Sequence, residues 1–273
     1  MIRLGVLGHP INHSRSPELH QQFAHQCNRS IDYQKVDVAP GTFEEVIAGL
    51  IGAGWRGCNV TVPYKFEAFE VCTKRSETAE STGVVNTLVF GPDDDIIGHN
   101  TDGPGLLKDI RQHLGWQLAD SRILVLGAGG ATQGVLGSLL AAQPRAIHLW
   151  NRTHERAHAL GERHDDPRLE ARASIALEAE YDVIIHASAA GLMGERVEVP
   201  SHVVGPKTLA YDLSYNSQGT PFLQWVSSMG AAATADGLGM LIEQAALAFE
   251  IWFDQLPSTE MLRRSEGLVT KAG

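Results

Sequence analysis

The sequence predicts an α/β protein of two lobes, each an array of β–α units, with a C-terminal helix returning to the first lobe. Three observations carry that expectation. The chain has 273 residues, and at the ~150 residues typical of one domain it divides into two. Short apolar runs alternate with helix-period segments along most of its length, the pattern of sheets joined by helical crossovers. With 43% hydrophobic and 20% charged residues, its composition is that of a globular protein rather than a disordered one.

Taken in order, Leu4 to Leu7 reads as a strand, a helix follows Pro17, Ile31 to Val38 reads as a strand, Thr42 to Ile51 as a helix and Gly57 to Val62 as a strand. Two closely spaced strands, Val84 to Phe90 and Ile96 to Gly98, flank the turn cluster GPDDD and predict a hairpin closing the first lobe. A helix from Asp102, with Leu106, Leu107, Ile110 and Leu114 at helical spacing, leads out of it. In the second lobe Arg122 to Leu126, Ala146 to Trp150, Val183 to Ile185 and Thr208 to Leu213 read as strands. Leu241, Ala245, Ala248 and Trp252 then share one helical face, the helix expected to return. The implied boundaries are residues 1–101 with 238–273 for the first domain and 102–237 for the second.

Composition narrows the function. Thirty-two acids against 22 Lys and Arg give a net charge of −10, the wrong sign for a protein that neutralises nucleic-acid phosphates. The apolar run in MIRLGVLGHP is too short for a signal peptide, and no stretch approaches the ~20 apolar residues of a membrane span. A soluble cytoplasmic protein is expected, with no nucleic-acid or membrane partner. Cys27, Cys58 and Cys72 lack CxxC spacing and fit neither a disulfide framework nor a thiolate zinc site; they read as reduced and structural.

GAGGATQG at 127–134 follows a strand and opens a helix, the context that gives a glycine pattern meaning. Gly127 permits the tight turn, Gly129 lets backbone approach a pyrophosphate, and the helix N-terminus offers N–H donors. Ala131 is small, while Thr132 replaces the third glycine of the simple fingerprint. The next strand ends in Asn151, Arg152 and Thr153 instead of the acid that binds the ribose diol of NAD. Arg152, with Arg156 one turn on, suits a 2′-phosphate, which favours NADP and leaves NAD as the weaker alternative.

In the first lobe HSRSP (13–17), NVTVPYKF (59–66), VNT (85–87) and NTDG (100–103) each lie just past a strand or at a helix start. Ser14 and Ser16 can present hydroxyls to a carboxylate; Asn59, Thr61 and Asn86 can bond ring hydroxyls, which suits a small polyhydroxylated acid. Oxidising an alcohol requires loss of the hydroxyl proton, so Lys65 is the candidate base and Asp102 the carboxylate that orients it. Taken singly, Lys65 reads as a surface lysine and Asp102 as a helix N-cap; their company gives them meaning. Gln244 interrupts an apolar helix face, so its amide needs a partner, either a ligand hydroxyl or a backbone carbonyl.

As a set, from GHPINHSRSP to ADGLGMLIEQAALAFEIW, these motifs resemble the shikimate dehydrogenase family in order and spacing. The resemblance implies an N-terminal substrate-binding domain, an NADP-binding Rossmann domain and interconversion of shikimate and 3-dehydroshikimate. It implies that Lys65 and Asp102 are the catalytic pair, that Ser14, Ser16 and Tyr215 hold the carboxylate, and that Asn59, Thr61, Asn86 and Gln244 bind ring hydroxyls. Glu77, Gly127, Ala128, Gly129, Gly130, Ala131, Asn151, Arg152, Thr153, Arg156, Leu213, Gly237 and Met240 would line the cofactor.

The chain departs from the family pattern at several points: Thr132 and Gln133 stand for a common Ser-Arg, SETA (76–79) for SERA, His186, Ala187 and Ser188 for an Asn-Ala-Thr-like segment, and Ser217 for a proline. A paralogue that accepts quinate is the alternative, as a monomer or homodimer. His154 to His158 spells HExxH, but it follows the NRT of a nucleotide fold and has no further ligand at a defined spacing, so a zinc hydrolase is rejected. A silent nucleotide-sensing module is opposed by the presence of Lys65 and Asp102.

Overall fold

The computed structural model describes residues 1–177, 180–188 and 197–268. They fall into two compact units, one of Met1–Leu106 with residues 241–268, the other of Leu107–Met240. The divisions fall inside two helices, α5 (Asp102–Lys108) and α9 (Leu238–Phe253).

The first unit holds a six-stranded sheet in the order β2-β1-β3-β5-β6-β4. β1 (Ile2–Gly8) pairs in parallel with β2 (Ile31–Asp37) and β3 (Gly57–Val60). α1 (Ser16–Gln26), with Pro17 in its first turn, and α2 (Phe43–Gly52) connect them. β5 (Thr87–Phe90) and β6 (Ile96–His99) form the expected antiparallel hairpin across GPDDD, where Asp93 and Asp94 take positive φ. Leu7, Val38, Phe43, Ile47, Val60 and Leu88 form the core beneath α2. α9 returns to this sheet: Ala245 and Ala248 are fully buried, and Trp252 Nε1 donates to the Leu88 carbonyl at 3.0 Å.

Three short elements of this unit carried no periodic signal. α3 (Lys65–Glu70) and α4 (Glu77–Thr82) are six residues each, and β4 (Lys74–Arg75) is two. α4 is set by its ends: Ser76 Oγ caps the Ala79 N–H at 3.3 Å, and Gly83 closes it at φ 64°.

The second unit is a wholly parallel six-stranded sheet in the order β12-β11-β10-β7-β8-β9. β7 (Arg122–Leu126), β10 (Val183–His186) and β11 (Leu209–Asp212) lie inside it and read as unbroken apolar runs because helices cover both faces. Leu124, Leu126, Ile184, Ala210, Phe222 and Val226 pack one side of it. The outer strands β9 (Leu169–Ala171) and β12 (Ala233–Asp236) escaped the sequence reading. Each has a single neighbour and carries few large apolar residues. α6 (Gly130–Ala141), α7 (His154–His164) and α8 (Pro221–Ser228) complete the unit, with α10 (Glu260–Ser265) following α9 in the first.

Candidate active site

Lys65 owes its position to the turn that ends β3. The Tyr64 N–H bonds the Thr61 carbonyl at 3.0 Å, and α3 starts at the next residue. Tyr64 is anchored by its hydroxyl, which donates to the Val38 carbonyl at 2.6 Å, and by stacking on Phe43. The Lys65 carbonyl in turn accepts the Val85 N–H at 3.0 Å. That bond takes Val85 out of the sheet ladder, so β5 begins at Thr87 and not at the Val84 the pattern suggested, and it sets Asn86 beside the lysine.

Lys65 Nζ lies 2.5 Å from Asp102 Oδ2, and the two residues are 9% and 5% exposed. The surface-lysine reading therefore fails. Asn86 Nδ2 donates to Asp102 Oδ1 at 2.9 Å, so each carboxylate oxygen has its own donor. The Asp102 N–H bonds Asn100 Oδ1 at 2.9 Å, and the Asn100 amide donates to Thr82 Oγ1 at 3.0 Å. Asn86 Oδ1 accepts from the Thr101 N–H at 3.0 Å, and its Nδ2 also faces Gln244 Oε1 at 3.2 Å. Gln244 Nε2 donates to the Leu241 carbonyl at 3.0 Å. Of the two partners foreseen for it, Gln244 thus has the backbone carbonyl, while its oxygen faces the site.

A second chain of bonds runs from the paired serines. Ser14 Oγ donates to Ser16 Oγ at 3.2 Å, Ser16 bonds the Tyr33 hydroxyl, and that hydroxyl donates to Asn59 Oδ1 at 2.6 Å. Asn59 Nδ2 reaches Thr87 Oγ1 at 3.0 Å and the Asn86 carbonyl at 3.2 Å. His20 Nε2 adds a bond to Asn59 Oδ1 at 3.1 Å. His20 therefore donates from Nε2 as a neutral ring, stacked 4.4 Å from Tyr33, and burial pushes its pKa down to about 3. Thr61 is half-buried, its methyl seated over Gly8, where an added Cβ would meet it at 2.7 Å.

Seven expected residues thus share one unit with Lys65, around the carboxyl ends of β1, β3 and β6 and the amino end of the antiparallel β5: Ser14, Ser16, Asn59, Thr61, Asn86, Asp102 and Gln244. Tyr215 belongs to the other unit, just past β11, and is half-buried. Glu77 is exposed in the first turn of α4. Sequence reasoning missed His20 and Tyr33, and it gave no role to Thr87 and Thr101 although both lie within its motifs. The available signal was weak: a histidine on the apolar face of α1 between Leu19 and Phe23, and hydroxyls adjoining the asparagine motifs.

In the second unit Gly127 has φ 123°, and a Cβ there would lie 2.9 Å from the Ala187 carbonyl and the Ser188 nitrogen. Only glycine fits that turn. Gly129 precedes α6 with no side-chain cap, and open space surrounds its Cα, which leaves the first N–H groups of Gly130 and Ala131 available to an anion. Thr132 is fully buried and bonds back to the Gly127 carbonyl at 2.9 Å, so the residue in place of the third glycine pins the turn that Gly127 makes. Gln133 is buried as well.

Beyond β8 (Ala146–Trp150), Asn151 Nδ2 donates to the Thr153 carbonyl at 2.8 Å. Arg152 and Arg156 are exposed and make no ion pair among the described residues. Leu213 and Gly237 touch backbone to backbone, and the Met240 N–H bonds the Tyr211 hydroxyl at 3.2 Å. The residues present fit a dinucleotide: a glycine cradle, an uncapped helix start and two unpaired cations at the next strand. His154 and His158 lie exposed on α7, and among the described residues no group of three His, Cys, Asp or Glu side chains is placed to hold a metal ion.

The family model described as the shikimate dehydrogenase substrate binding domain matches residues 6–88. Those for shikimate / quinate 5-dehydrogenase and the shikimate 5′-dehydrogenase C-terminal domain match 108–203 and 237–264. The chain is 44% identical over 257 residues to a shikimate dehydrogenase (NADP(+)) of Alcanivorax borkumensis, covering 93% of this chain and 92% of that protein. It is 45% identical over 262 residues to one of Methylobacillus flagellatus, covering 95% and 96%. Among solved structures it resembles an Ael1 enzyme from Pseudomonas putida, with TM-score 0.89, 38% identity and coverage of 97% and 98%. It also resembles shikimate 5-dehydrogenase from Thermus thermophilus in complex with NADP(H) and shikimate, with TM-score 0.86, 31% identity and coverage of 98% and 100%.

Proposed function

The chain belongs to the shikimate dehydrogenase family, and we propose that Lys65, braced by Asp102, is the acid/base of its reaction. It is an oxidoreductase that interconverts shikimate and 3-dehydroshikimate with NADP. The observation that carries the residue assignment is the buried 2.5 Å contact between Lys65 Nζ and Asp102 Oδ2, whose other oxygen is held by Asn86.

As an ammonium beside the Asp102 carboxylate, Lys65 can give a proton to a ketone oxygen during reduction. In the direction of oxidation Lys65 first releases a proton to solvent, and the neutral amine then takes the hydroxyl proton. Bound NADP supplies the hydride acceptor or donor at C4 of its ring. Asp102 holds Lys65 at one oxygen and Asn86 at the other, so the amine points to one place throughout the cycle. Ser14 and Ser16 take the substrate carboxylate, a role the family resemblance extends to Tyr215. Thr61, Asn86 and Gln244 take ring hydroxyls, and Asn59, whose amide already has four protein partners, holds Asn86 and Thr87 in place.

The unit of Met1–Leu106 is assigned to substrate and that of Leu107–Met240 to cofactor. Gly127 to Ala131 cradle the pyrophosphate and Arg152 and Arg156 take the 2′-phosphate, with Asn151, Thr153, Leu213, Gly237 and Met240 around them; Glu77 is given to the cofactor on the family resemblance alone. No helix among the described residues is long and apolar enough to cross a membrane, and all three cysteines are free and buried. A reducing compartment, the cytoplasm, suits them, with the protein a monomer or homodimer. The test is an assay of shikimate and quinate, each with NADP and NAD. The expected order places shikimate with NADP highest in kcat/KM; absence of nicotinamide reduction with either alcohol would overturn the reading.

A further inference from the structure

Past the ends of β10 and β11 three side chains are in contact that the reaction above does not use. His186 and Asp212, the last residues of these strands, are register partners, and both side chains are fully buried. The Asp212 carboxylate is fixed from two sides: Oδ1 accepts the Ser214 N–H at 2.9 Å and Oδ2 the Thr220 hydroxyl at 2.6 Å. His186 Nδ1 approaches Oδ1 at 3.1 Å but obliquely, an electrostatic contact and not a linear hydrogen bond. At the other side of the ring Nε2 lies 2.7 Å from Ser188 Oγ, and Phe222 stacks on the ring at 4.8 Å.

Of the two tautomers of the imidazole, the carboxylate beside Nδ1 favours the one that carries its hydrogen there, which leaves Nε2 as an acceptor. The Ser188 hydroxyl must then donate to Nε2, and its hydrogen is committed. What remains on Oγ is lone pairs, so Ser188 can receive a hydrogen bond from a ligand and cannot give one. Phosphate oxygens are acceptors only and make no match with it.

The position of Ser188 names the donor. The Ala187–Ser188 backbone lies against Gly127, the first glycine of the dinucleotide turn. In the order β9-β8-β7-β10-β11-β12, that turn follows β7, the cations Arg152 and Arg156 follow β8 on one side, and Ser188 follows β10 on the other. A dinucleotide lies across the carboxyl ends at this reversal of strand order. With its 2′-phosphate half at the arginines, its nicotinamide-riboside half falls over β10.

We propose that Ser188, held by His186 and Asp212 as an acceptor-only hydroxyl, binds a hydrogen-bond donor on the nicotinamide-riboside half of the cofactor, either a ribose hydroxyl or the carboxamide N–H. His186 acts through Ser188 and is a positioning residue. The inference rests on the NADP reading of the second unit.

Calorimetric titration of the whole protein with three ligands tests it: NADP+, 2′-phospho-ADP-ribose, which keeps the second ribose without the carboxamide, and 2′,5′-ADP, which has neither. Ser188→Ala should weaken NADP+ about fivefold to tenfold, the worth of one hydrogen bond, with 2′,5′-ADP unchanged and Ser188→Thr within about twofold of the parent. Weaker 2′-phospho-ADP-ribose in Ser188→Ala assigns the ribose hydroxyl; an unchanged one assigns the carboxamide. His186→Phe, which keeps the ring stack and removes Nε2, should weaken NADP+ about twofold to fivefold, again with 2′,5′-ADP unchanged. An equal loss for all three ligands, no loss in Ser188→Ala, or no loss in His186→Phe would overturn the proposal. If the parent protein binds none of the three, the NADP reading itself fails.

Discussion

The carboxyl ends of the two sheets are built from different materials. In the first unit the site consists of buried side chains bonded to one another, Lys65 to Asp102, Asp102 to Asn86, and Asn86 onward to Thr101 and Gln244. In the second it consists of backbone at Gly127 to Ala131 and two exposed arginines with no ion pair among the described residues. The difference suits the ligand proposed for each end. Proton transfer needs one group aimed at one atom in a dry setting, where fixed dipoles act strongly and do not have to reorganise. A dinucleotide needs several N–H groups for its phosphates and a mobile positive charge for a solvated 2′-phosphate, which helix geometry and long side chains supply.

Truncation should therefore be far more damaging at the first end than at the second. Lys65→Ala and Asp102→Ala should each lower kcat at least ~100-fold. Asp102→Ala should also lower the melting temperature, since it strips the partner from a lysine that is 9% exposed. Near-normal turnover in both variants would erase the contrast. At the other end, the double change Arg152→Ala, Arg156→Ala should raise the Kd for NADP+ roughly tenfold, as expected for charge-assisted bonds, and leave that for NAD+ within about twofold. Part of the difference should vanish at high salt because both arginines are exposed. Equal losses for the two cofactors would mean that the cations serve the pyrophosphate.

The smallest effect concerns the price of a dry site. Burial holds the His20 pKa near 3 against an ordinary 6.5, so between those values the unfolded chain binds more protons than the folded one. Its contribution to stability is complete above the unfolded value and is lost as pH falls toward the folded one. His20→Gln keeps a donor for Asn59 and removes the titration. The stability lost between pH 7 and pH 5 should shrink in that variant by at most about 2 kcal/mol, measured by denaturant unfolding at both pH values. An unchanged loss would place the acid sensitivity in other groups.

Legibility in the sequence followed the same division. The cofactor turn was readable because its parts are contiguous: Arg122 to Leu126, then GAGGATQG, then a helix. The substrate site was readable only as separate motifs, and the residues joining them were not. Tyr33 sits in β2 as one aromatic among alternating residues, and His20 lies on an apolar helix face. Nothing local distinguishes either from a core residue, yet their bonds to Asn59 connect the Ser14–Ser16 pair to Asn86. Thr132 was read as the loss of a glycine, whereas its hydroxyl fixes the turn.

By itself the sequence determined the alternation of strands and helices, the dinucleotide turn, the cations beyond the next strand and the motifs that carry Lys65 and Asp102. These depend on periodicity, on turn chemistry and on residues adjacent in the chain. The tertiary structure decided what depends on distance in the chain: that Lys65 is buried, that Val85 leaves its ladder to bond the Lys65 carbonyl, and that His186 meets both Asp212 and Ser188. A side chain's polarity is written in its own residue, but its hydrogen-bond partners and its solvent are supplied by segments that only folding brings alongside.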